Sequence, residues 1–177
     1  LKNFCVDMFE AVHILPFFPS SSDKGFSVID YYTIYHNFGQ WNDILSISKE
    51  FGVMADVVIN HGSSKSKWFE NFKKGEGKGH NYFLNFEQKF DTSKVVRPRT
   101  SDLLNPVDTA NGKRYVWCTF SEDQVDYNFS NPVVLYEFIQ IIIFYLSKGI
   151  TIFRFDAVAF IWKKIGTTCI NLDKTHE

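Results

Sequence analysis

Two charged residues, Arg154 and Asp156, end an otherwise apolar stretch that runs from Ile150 to Ala157. Its β-branched and aromatic residues predict a buried strand, in which side chains alternate between two faces. Arg154 and Asp156 then share one face at the carboxyl end of that strand. Because charges are seldom buried unless they are paired or used in chemistry, we expect the arginine to hold the aspartate ionised, lower its pKa and orient it. The alternative is an ion pair that only closes the strand end.

A second apolar stretch, Val53 to Ile59, is followed directly by Asn60 and His61. Asp56 is the one charged residue inside it, and alternation places Asp56 and Asn60 on the same face. In parallel α/β folds, and above all in (β/α)8 barrels, side chains at the carboxyl ends of strands build the active site. Either Asn60 or His61 alone is explained as a turn residue that satisfies nearby backbone groups. Together with the charged pair of the other strand, they favour a site.

The elements that must position these residues alternate between strand and helix. The predicted elements are the end of an amphipathic helix over residues 1–10 with Phe4, Cys5 and Met8 facing inward, a strand over 11–18, a polar loop over 20–25, a helix over about 40–50, a strand over 53–59, a helix up to about 148 and a strand over 150–157. Asn131 is the expected N-cap of the last helix and Pro132 its first residue. This helix is apolar nearly all round, so we expect it to be buried. The order predicts an α/β fold with a parallel sheet.

The segment between the second strand and the last helix has a different composition. Residues 62–130 are rich in Lys, Gly and Asn, and their only strand-like pieces, such as Tyr115 to Phe120, lie among turns. A connection of nearly seventy residues without a strong element is too long for an ordinary loop. We therefore expect an inserted subdomain, with the sheet built from residues 1–61 and 131–177.

Composition limits the classes of function. The 177 residues carry a formal net charge of -1, and no basic block favours a nucleic-acid or membrane partner. No apolar run approaches the roughly 20 residues that span a bilayer. Cys5, Cys118 and Cys169 are odd in number and lack metal-type spacing, which predicts reduced thiols and a cytoplasmic protein. Because the chain opens at Leu1 in the middle of a pattern, we expect it to be a piece of a longer protein.

Four motifs resemble those of the α-amylase family of glycoside hydrolases and transglycosidases. Asp56 to His61 is similar to the first signature of that family, and Phe153 to Ala157 is similar to the second. Gln124 to Asn128 resembles a motif of the inserted domain in some subfamilies. Asp23 to Phe26, with Asp30 and Tyr31 beyond it, resembles the loop after the second barrel strand. The order and spacing agree along nearly the whole chain.

Within that family the chain looks most like the sucrose phosphorylase group, which includes relatives acting on glucosylglycerate and on phosphorylated sucrose. The features that carry this resemblance are Phe26, where amylases usually have Tyr, the loop Arg97-Pro98-Arg99, and the run from Gly166 to Cys169. The resemblance implies part of a (β/α)8 barrel, about strands two to four, with an inserted domain after the third strand. It divides the chain into a barrel part over 1–61, an inserted region over 62–130 and a second barrel part over 131–177.

The resemblance also implies roles for individual residues. Asp156 matches the nucleophile that forms a covalent glucosyl-enzyme, and Arg154 matches the residue that orients it. The implied substrate-binding residues are Asp23 and His61 on the glucosyl hydroxyls, Phe26 as a ring face beside them, Arg99 on phosphate, and Phe120 and Gln124 on the acceptor side. A guanidinium suits phosphate because its donors form a fork, although Arg99 could also be a solvated loop residue. Asp56 and Asn60 are expected to support the site and not to react.

Part of the machinery of the family has no counterpart in this chain. Retaining glycoside chemistry needs a second carboxyl group about 5–5.5 Å from the nucleophile. In this family that Glu follows the fifth barrel strand and a further Asp follows the seventh, whereas only three of the eight strands are identified here. Glu177 does not match either. The chain requires no cofactor and no metal, although Asn60 aligns with a calcium ligand of some amylases.

The expected activity is therefore that of a complete enzyme to which this chain contributes. That enzyme would transfer glucose from sucrose, or from a related α-glucoside, to inorganic phosphate with retention of configuration. The alternatives are a hydrolase or transglucosidase that uses the same donor, and a sugar-binding relative that has lost catalysis. The presence of both Arg154 and Asp156 argues against the last alternative, and the acid/base carboxyl group outside this chain would decide it.

Overall fold

The computed structural model describes residues 8–177. The strands are β1 (Ala11–Ile14), β2 (Gly52–Val58), β3 (His61–Ser63), β4 (Asn85–Phe86), β5 (Leu104–Thr109), β6 (Gly112–Trp117), β7 (Gln124–Asp126) and β8 (Ile150–Asp156). The helices are α1 (Trp41–Ile47), α2 (Lys67–Lys74), α3 (Pro132–Ser147) and α4 (Asp173–His176), and short 3-10 turns lie at Asp23–Gly25, His36–Phe38 and Val158–Phe160. None of the helices over residues 8–177 combines the length and apolar content that a bilayer crossing needs.

A three-stranded parallel sheet carries the predicted site. Its strand order is β1-β2-β8, and both pairs are parallel, which confirms the predicted sheet. Strand β1 is shorter than predicted, since it ends at Ile14. Pro16 follows two residues later and has no backbone N–H to donate to a neighbouring strand.

The ends of two helices follow from local chemistry. At the start of α1, Gln40 and Asp43 form a capping box, in which the Asp43 carboxylate accepts from the Gln40 backbone N–H at 2.8 Å. At the start of α3, the Asn131 side chain accepts from the Val133 N–H at 3.1 Å, and Pro132 is the first helical residue. The predicted cap and start of α3 are thus confirmed.

The burial predicted for α3 is wrong. Only one stripe of the helix is buried, formed by Val134, Phe138, Ile141 and Tyr145, whose spacing of three and four residues defines one helical face. The exposed apolar residues of the helix are Val133, Leu135, Tyr136, Ile139, Ile143 and Leu146. Among residues 8–177 nothing packs over that second face, so apolar composition all round did not lead to burial all round.

Two further expectations about burial are corrected. Met8, expected to face inward, is 69% exposed, while Phe4 and Cys5 lie outside the described residues. Strand β8 is not fully buried, because within the described chain it pairs with β2 on one side only. Ile152 and Phe155 of this strand are 37% and 41% exposed.

The segment from residue 62 to 130 contains more regular structure than its composition predicts. It holds helix α2, a three-stranded antiparallel sheet in the order β4-β6-β5, and strand β7, which pairs with β3 in an antiparallel ladder. Helix α2 was not predicted, although its signals are present: the Ser66 hydroxyl accepts from the Phe69 N–H at 3.1 Å, and Gly75 ends the helix in the left-handed conformation. The β3–β7 ladder pairs His61 with Asp126, so it ties this segment to the end of β2.

Candidate active site

The carboxyl end of β8 presents Arg154 and Asp156 on one face of the parallel sheet. Arg154 lies opposite Asp56 of β2, and Asp156 lies opposite Val58. Phe153, which alternation places on the other face of the strand, packs against the main apolar core. Asp156 therefore faces away from that core and keeps 20% of its side chain exposed.

Arg154 has two carboxylate partners. Its Nη1 forms an ion pair with the Asp56 carboxylate and lies 3.3 Å from Asp156 Oδ1. Asp56 has no exposed surface and also contacts His13 Nε2 at 2.9 Å. One buried carboxylate thus joins side chains from all three strands of the sheet. The position of Asp56 beside Arg154 agrees with the supporting role expected for Asp56.

His13 was missed by the sequence interpretation. It is the one polar residue of β1, and its ring lies on the same face of the sheet as Asp56. A polar residue inside an apolar strand was the available signal, but the sequence alone does not say which strand lies next to β1.

The pKa of Asp156 is raised, which corrects the direction expected from its spacing to Arg154. Burial is the largest cause, because it penalises the charged carboxylate, and the nearby Asp56 charge adds to it. His61 and Arg154 favour the ionised form but do not offset the burial. The hydrogen bond to Asp56 is the main cause of a raised pKa at Arg154, so the guanidinium is engaged chiefly by the other carboxylate.

His61 lies buried at the start of β3 with a defined ring orientation. Its Nε2 is 3.0 Å from the Phe26 carbonyl oxygen, and its Nδ1 is 3.3 Å from the Asn60 amide nitrogen. Burial lowers the pKa of His61 despite the opposing effects of Asp126 and Asp156. The ring is therefore a neutral hydrogen-bonding group.

Gln124 connects the loop after β1 with His61. Its Nε2 donates to Asp23 Oδ2 at 2.9 Å and lies 3.1 Å from His61 Nε2, while its Oε1 accepts from the Ser121 hydroxyl at 2.9 Å. Gln124 is buried, whereas Asp23 is exposed. Both amide atoms of the glutamine are thus used to hold residues of the site in place.

Three aromatic rings border this polar group. The Arg154 guanidinium lies 5.9 Å from the centre of the Phe26 ring, within the range of a cation–π contact. The Phe120 ring lies 5.0 Å from the His61 ring and 5.5 Å from Phe160. Ring faces beside polar side chains suit a sugar, which has both apolar and polar surfaces. Phe160 was not among the predicted residues.

Arg99 is the one predicted site residue that the structure does not bring to this group. It is exposed and forms no hydrogen bond or ion pair with another residue of the described chain. Its neighbour Arg97 hydrogen-bonds to the Ser101 backbone and hydroxyl, and the Ser101 hydroxyl donates to the Phe120 carbonyl at 3.1 Å. The arginine loop is therefore attached to the aromatic border of the site through Ser101.

A buried lysine beside the site was also missed. Lys163 Nζ lies 2.7 Å from Asp126 Oδ2 and donates to Asn60 Oδ1 at 2.8 Å. Asp126 also accepts from the Thr119 hydroxyl at 2.6 Å. Because the ammonium already lies against the Asn60 oxygen, the calcium ligand set suggested by the position of Asn60 does not fit a metal cation here. Burial lowers the pKa of Lys163, and Asp126 opposes that effect.

The chain is similar to known proteins along nearly its whole length. Residues 6–175 match the family model for the alpha amylase catalytic domain. The chain is 47% identical to glucosylglycerate phosphorylase of Spirochaeta thermophila over 99% of its own length and 30% of the relative. It is 32% identical to sucrose 6(F)-phosphate phosphorylase of Thermoanaerobacterium thermosaccharolyticum, over 96% of this chain and 38% of that protein.

A solved structure supports the same relationship. The crystal structure of sucrose 6F-phosphate phosphorylase from Thermoanaerobacter thermosaccharolyticum superposes with a TM-score of 0.92 at 30% identity, over 99% of this chain and 39% of the other. The chain thus spans about a third of the length of the relatives it matches. Sequence and fold agree, and the chain belongs to the alpha-amylase family.

Proposed function

We propose that this chain is the nucleophile-bearing part of an α-glucoside phosphorylase. The observation that carries the proposal is the position of Asp156, a partly exposed carboxylate at the end of a parallel strand with Arg154 beside it. Asp23, His61 and Gln124 form a hydrogen-bonded group close to this strand end. The relatives named above are phosphorylases, which favours phosphate over water as the acceptor.

In the proposed reaction, Asp156 attacks the anomeric carbon of an α-glucoside. The bond from that carbon to the leaving oxygen breaks as the bond to the Asp156 carboxylate forms, and a carboxylic acid from outside this chain gives the leaving oxygen its proton. Inorganic phosphate then attacks the same carbon, releases Asp156 and forms glucose 1-phosphate. Two inversions give net retention of configuration.

Arg154 has a positioning task in this scheme. Asp56 and Asp156 both contact its Nη1, so the guanidinium neutralises part of the charge at the strand end. The raised pKa of Asp156 reflects burial, which also removes water that would compete with the sugar. We further propose that Asp23 and His61 bind glucosyl hydroxyls, that Phe26 gives a ring face, and that Phe120 and Gln124 border the acceptor side.

Arg99 is proposed as the phosphate-binding residue. Its exposed guanidinium is not engaged within the described chain, and the loop that holds it is attached through Ser101 to Phe120. A fork of donors free of protein partners is available to an anion. We also propose that residues 62–130 form an inserted domain, and that β1, β2 and β8 are the second to fourth strands of a (β/α)8 barrel.

For the donor, we propose glucosylglycerate ahead of sucrose and sucrose 6-phosphate, because the glucosylglycerate phosphorylase relative shares the higher identity. Cys118 and Cys169 are free thiols, as expected for reduced cysteines. The cytoplasmic location inferred from them stays a prediction.

The test is an assay of the full-length protein that contains this chain, with each of the three donors, with and without phosphate. Glucose 1-phosphate and free glucose are measured separately. The proposal predicts that glucose 1-phosphate dominates when phosphate is present and that glucosylglycerate gives the highest kcat/KM. Release of free glucose alone at every phosphate concentration would identify a hydrolase, and no turnover of any donor would favour a non-catalytic relative.

A further inference from the structure

Five serine hydroxyls surround the carboxylate of Asp123, the residue just before Gln124. Three come from the loop after β1, where Ser21, Ser22 and Ser27 donate to Asp123 Oδ2, the last at 2.9 Å. Two come from the end of β3, where Ser64 donates to Oδ1 at 2.7 Å and Ser63 lies 3.5 Å from it. No step of the proposed reaction uses this carboxylate, so its many donors need another explanation.

The serine cluster joins three segments that are far apart in the sequence. Backbone contacts strengthen it, since the Ser64 N–H donates to the Asp123 carbonyl at 2.8 Å and the Ser27 hydroxyl reaches the same oxygen at 3.2 Å. Ser27 and Ser63 are fully buried. Removing the carboxylate would take away the charged acceptor that these hydroxyls share, which is unfavourable in a partly buried site.

The loop between Ser22 and Ser27 has a strained backbone. Asp23 and Lys24 have positive φ angles of 54° and 51°, a left-handed region that is uncommon for residues other than Gly, Asn and Asp, and two such residues stand here in succession. Gly25 has φ 109°, and a Cβ there would lie 2.7 Å from the Pro16 side chain. Such a conformation persists only where its surroundings hold it. Ser22 and Ser27, which bracket it, both donate to Asp123.

We propose that Asp123 is a positioning residue that sets the donor-binding geometry of Asp23 and Gln124. Asp123 directly precedes Gln124 in the chain, and it accepts from Ser22 and Ser27 at the two ends of the Asp23 loop. It therefore fixes both partners of the 2.9 Å hydrogen bond from Gln124 Nε2 to Asp23 Oδ2. The proposal rests on the proposed function, because it assigns the two positioned side chains to sugar binding.

The charge state of Asp123 suits this task. Partial burial raises the pKa of the Asp123 carboxyl group. The hydrogen bonds from Ser21, Ser22, Ser64 and Ser27 together lower it by more, so the pKa lies below its usual range. The carboxylate is therefore ionised at neutral pH, where it accepts from all its donors.

The kinetic test compares the full-length wild type with Asp123→Asn, Gln124→Ala and the double variant. Asp108→Asn is the matched control, since Asp108 is an exposed aspartate of β5 outside the site. We expect Asp123→Asn to raise the donor KM about tenfold, with kcat and the phosphate KM changed less than about threefold. The double variant should raise the donor KM by less than the product of the two single effects, because Asp123 acts partly through Gln124 and partly through the Asp23 loop.

If Asp123 only stabilises the fold, the kinetic constants of Asp123→Asn should change in a different way. Loss of folded enzyme would lower the apparent kcat and leave the donor KM unchanged, and that result would overturn the proposal. So would fully additive effects in the double variant.

Amide hydrogen exchange gives a readout that does not need activity. In Asp123→Asn, residues 21–27 should exchange about tenfold faster than in the wild type, while helix α1 exchanges as before. Unchanged exchange of that loop contradicts the proposal whatever the kinetics show. If the wild type turns over no donor, the proposed function has failed, and the exchange measurement alone decides the role of Asp123.

Discussion

Arg154 and Asp56 face each other across the β2–β8 pair, and their side chains form an ion pair in which the Asp56 side chain has no exposed surface while the Arg154 side chain is 49% exposed. Asp156, two residues further along β8, contacts the same nitrogen at 3.3 Å. The orientation of Arg154 is therefore set from the neighbouring strand. The Asp156 carboxylate therefore lies beside a guanidinium that is already held in place.

Replacing Asp56 by Asn should lower donor turnover, although no reacting role is assigned to Asp56. The variant removes the charge that anchors Arg154 and leaves His13 without its carboxylate partner. A displacement of about 1 Å at a reacting group costs on the order of 100-fold in rate. We expect a fall of that order in donor kcat/KM in the full-length enzyme, measured beside Asp108→Asn, with a lower thermal midpoint. Kinetics equal to those of Asp108→Asn would contradict this account of Arg154.

The raised pKa of Asp156 predicts how folding stability depends on pH. A carboxyl group whose pKa is raised on folding contributes stability below its unfolded pKa, and that contribution is lost as the pH rises through the folded pKa. Asp156→Asn cannot ionise, so the variant should have a higher thermal midpoint than wild type at neutral pH. The difference should shrink as the pH falls below about 4, the usual pKa of aspartic acid. A difference that grows on acidification would mean that the pKa of Asp156 is lowered instead.

Arg99→Ala should act on phosphate and leave the donor unaffected. The exposed Arg99 side chain forms no hydrogen bond or ion pair in residues 8–177 that the change would break, so we expect normal folding. The phosphate KM should rise about tenfold or more, and the product should shift from glucose 1-phosphate towards free glucose, because water still reaches the intermediate.

The control for Arg99 is Arg114→Ala, which removes an arginine of β6 that pairs with the exposed Glu87. Exposed pairs of this kind contribute about 0–1 kcal/mol, so this variant should keep the wild-type product ratio. Equal phosphate KM values for Arg99→Ala and the wild type would remove Arg99 from the phosphate site.

The isolated 177-residue polypeptide should aggregate or bind a hydrophobic dye. Helix α3 exposes Leu135, Tyr136 and Ile143, and the parallel sheet has β1 and β8 as its edges within the described chain. Exposed apolar patches and unpaired strand edges both promote association. Dye fluorescence and light scattering of the purified polypeptide measure this. A monodisperse monomer with a sharp thermal transition and no dye binding would contradict it.

Local signals predicted the elements well where one short stretch decides the structure. Asn131 and Pro132 determine the start of α3 through groups one or two residues away. The motif containing Asp156 likewise lies at the end of a parallel strand, as its alternation predicts. Helix α2 was missed because its signals, Ser66 and Gly75, lie in a polar segment that was interpreted as irregular.

Properties that depend on distant neighbours could not be predicted. Spacing placed Arg154 beside Asp156, but it could not reveal that Asp56 is the stronger partner or that burial outweighs both arginine and histidine at Asp156. The pKa direction was therefore wrong. Lys163 escaped notice for the same reason, since its partner Asp126 is 37 residues away in the sequence and only the fold brings the two charges together.

The central claim is that Asp156 is the nucleophile. Its most direct test is to mix the full-length enzyme with donor in the absence of phosphate, quench with acid, and analyse the peptides by mass spectrometry. The account predicts one glucosyl unit attached to the peptide that contains Asp156, lost on addition of phosphate before the quench, and absent from Asp156→Asn, whose turnover falls by several orders of magnitude. A glucosyl unit on any other residue, or full turnover by Asp156→Asn, would contradict it.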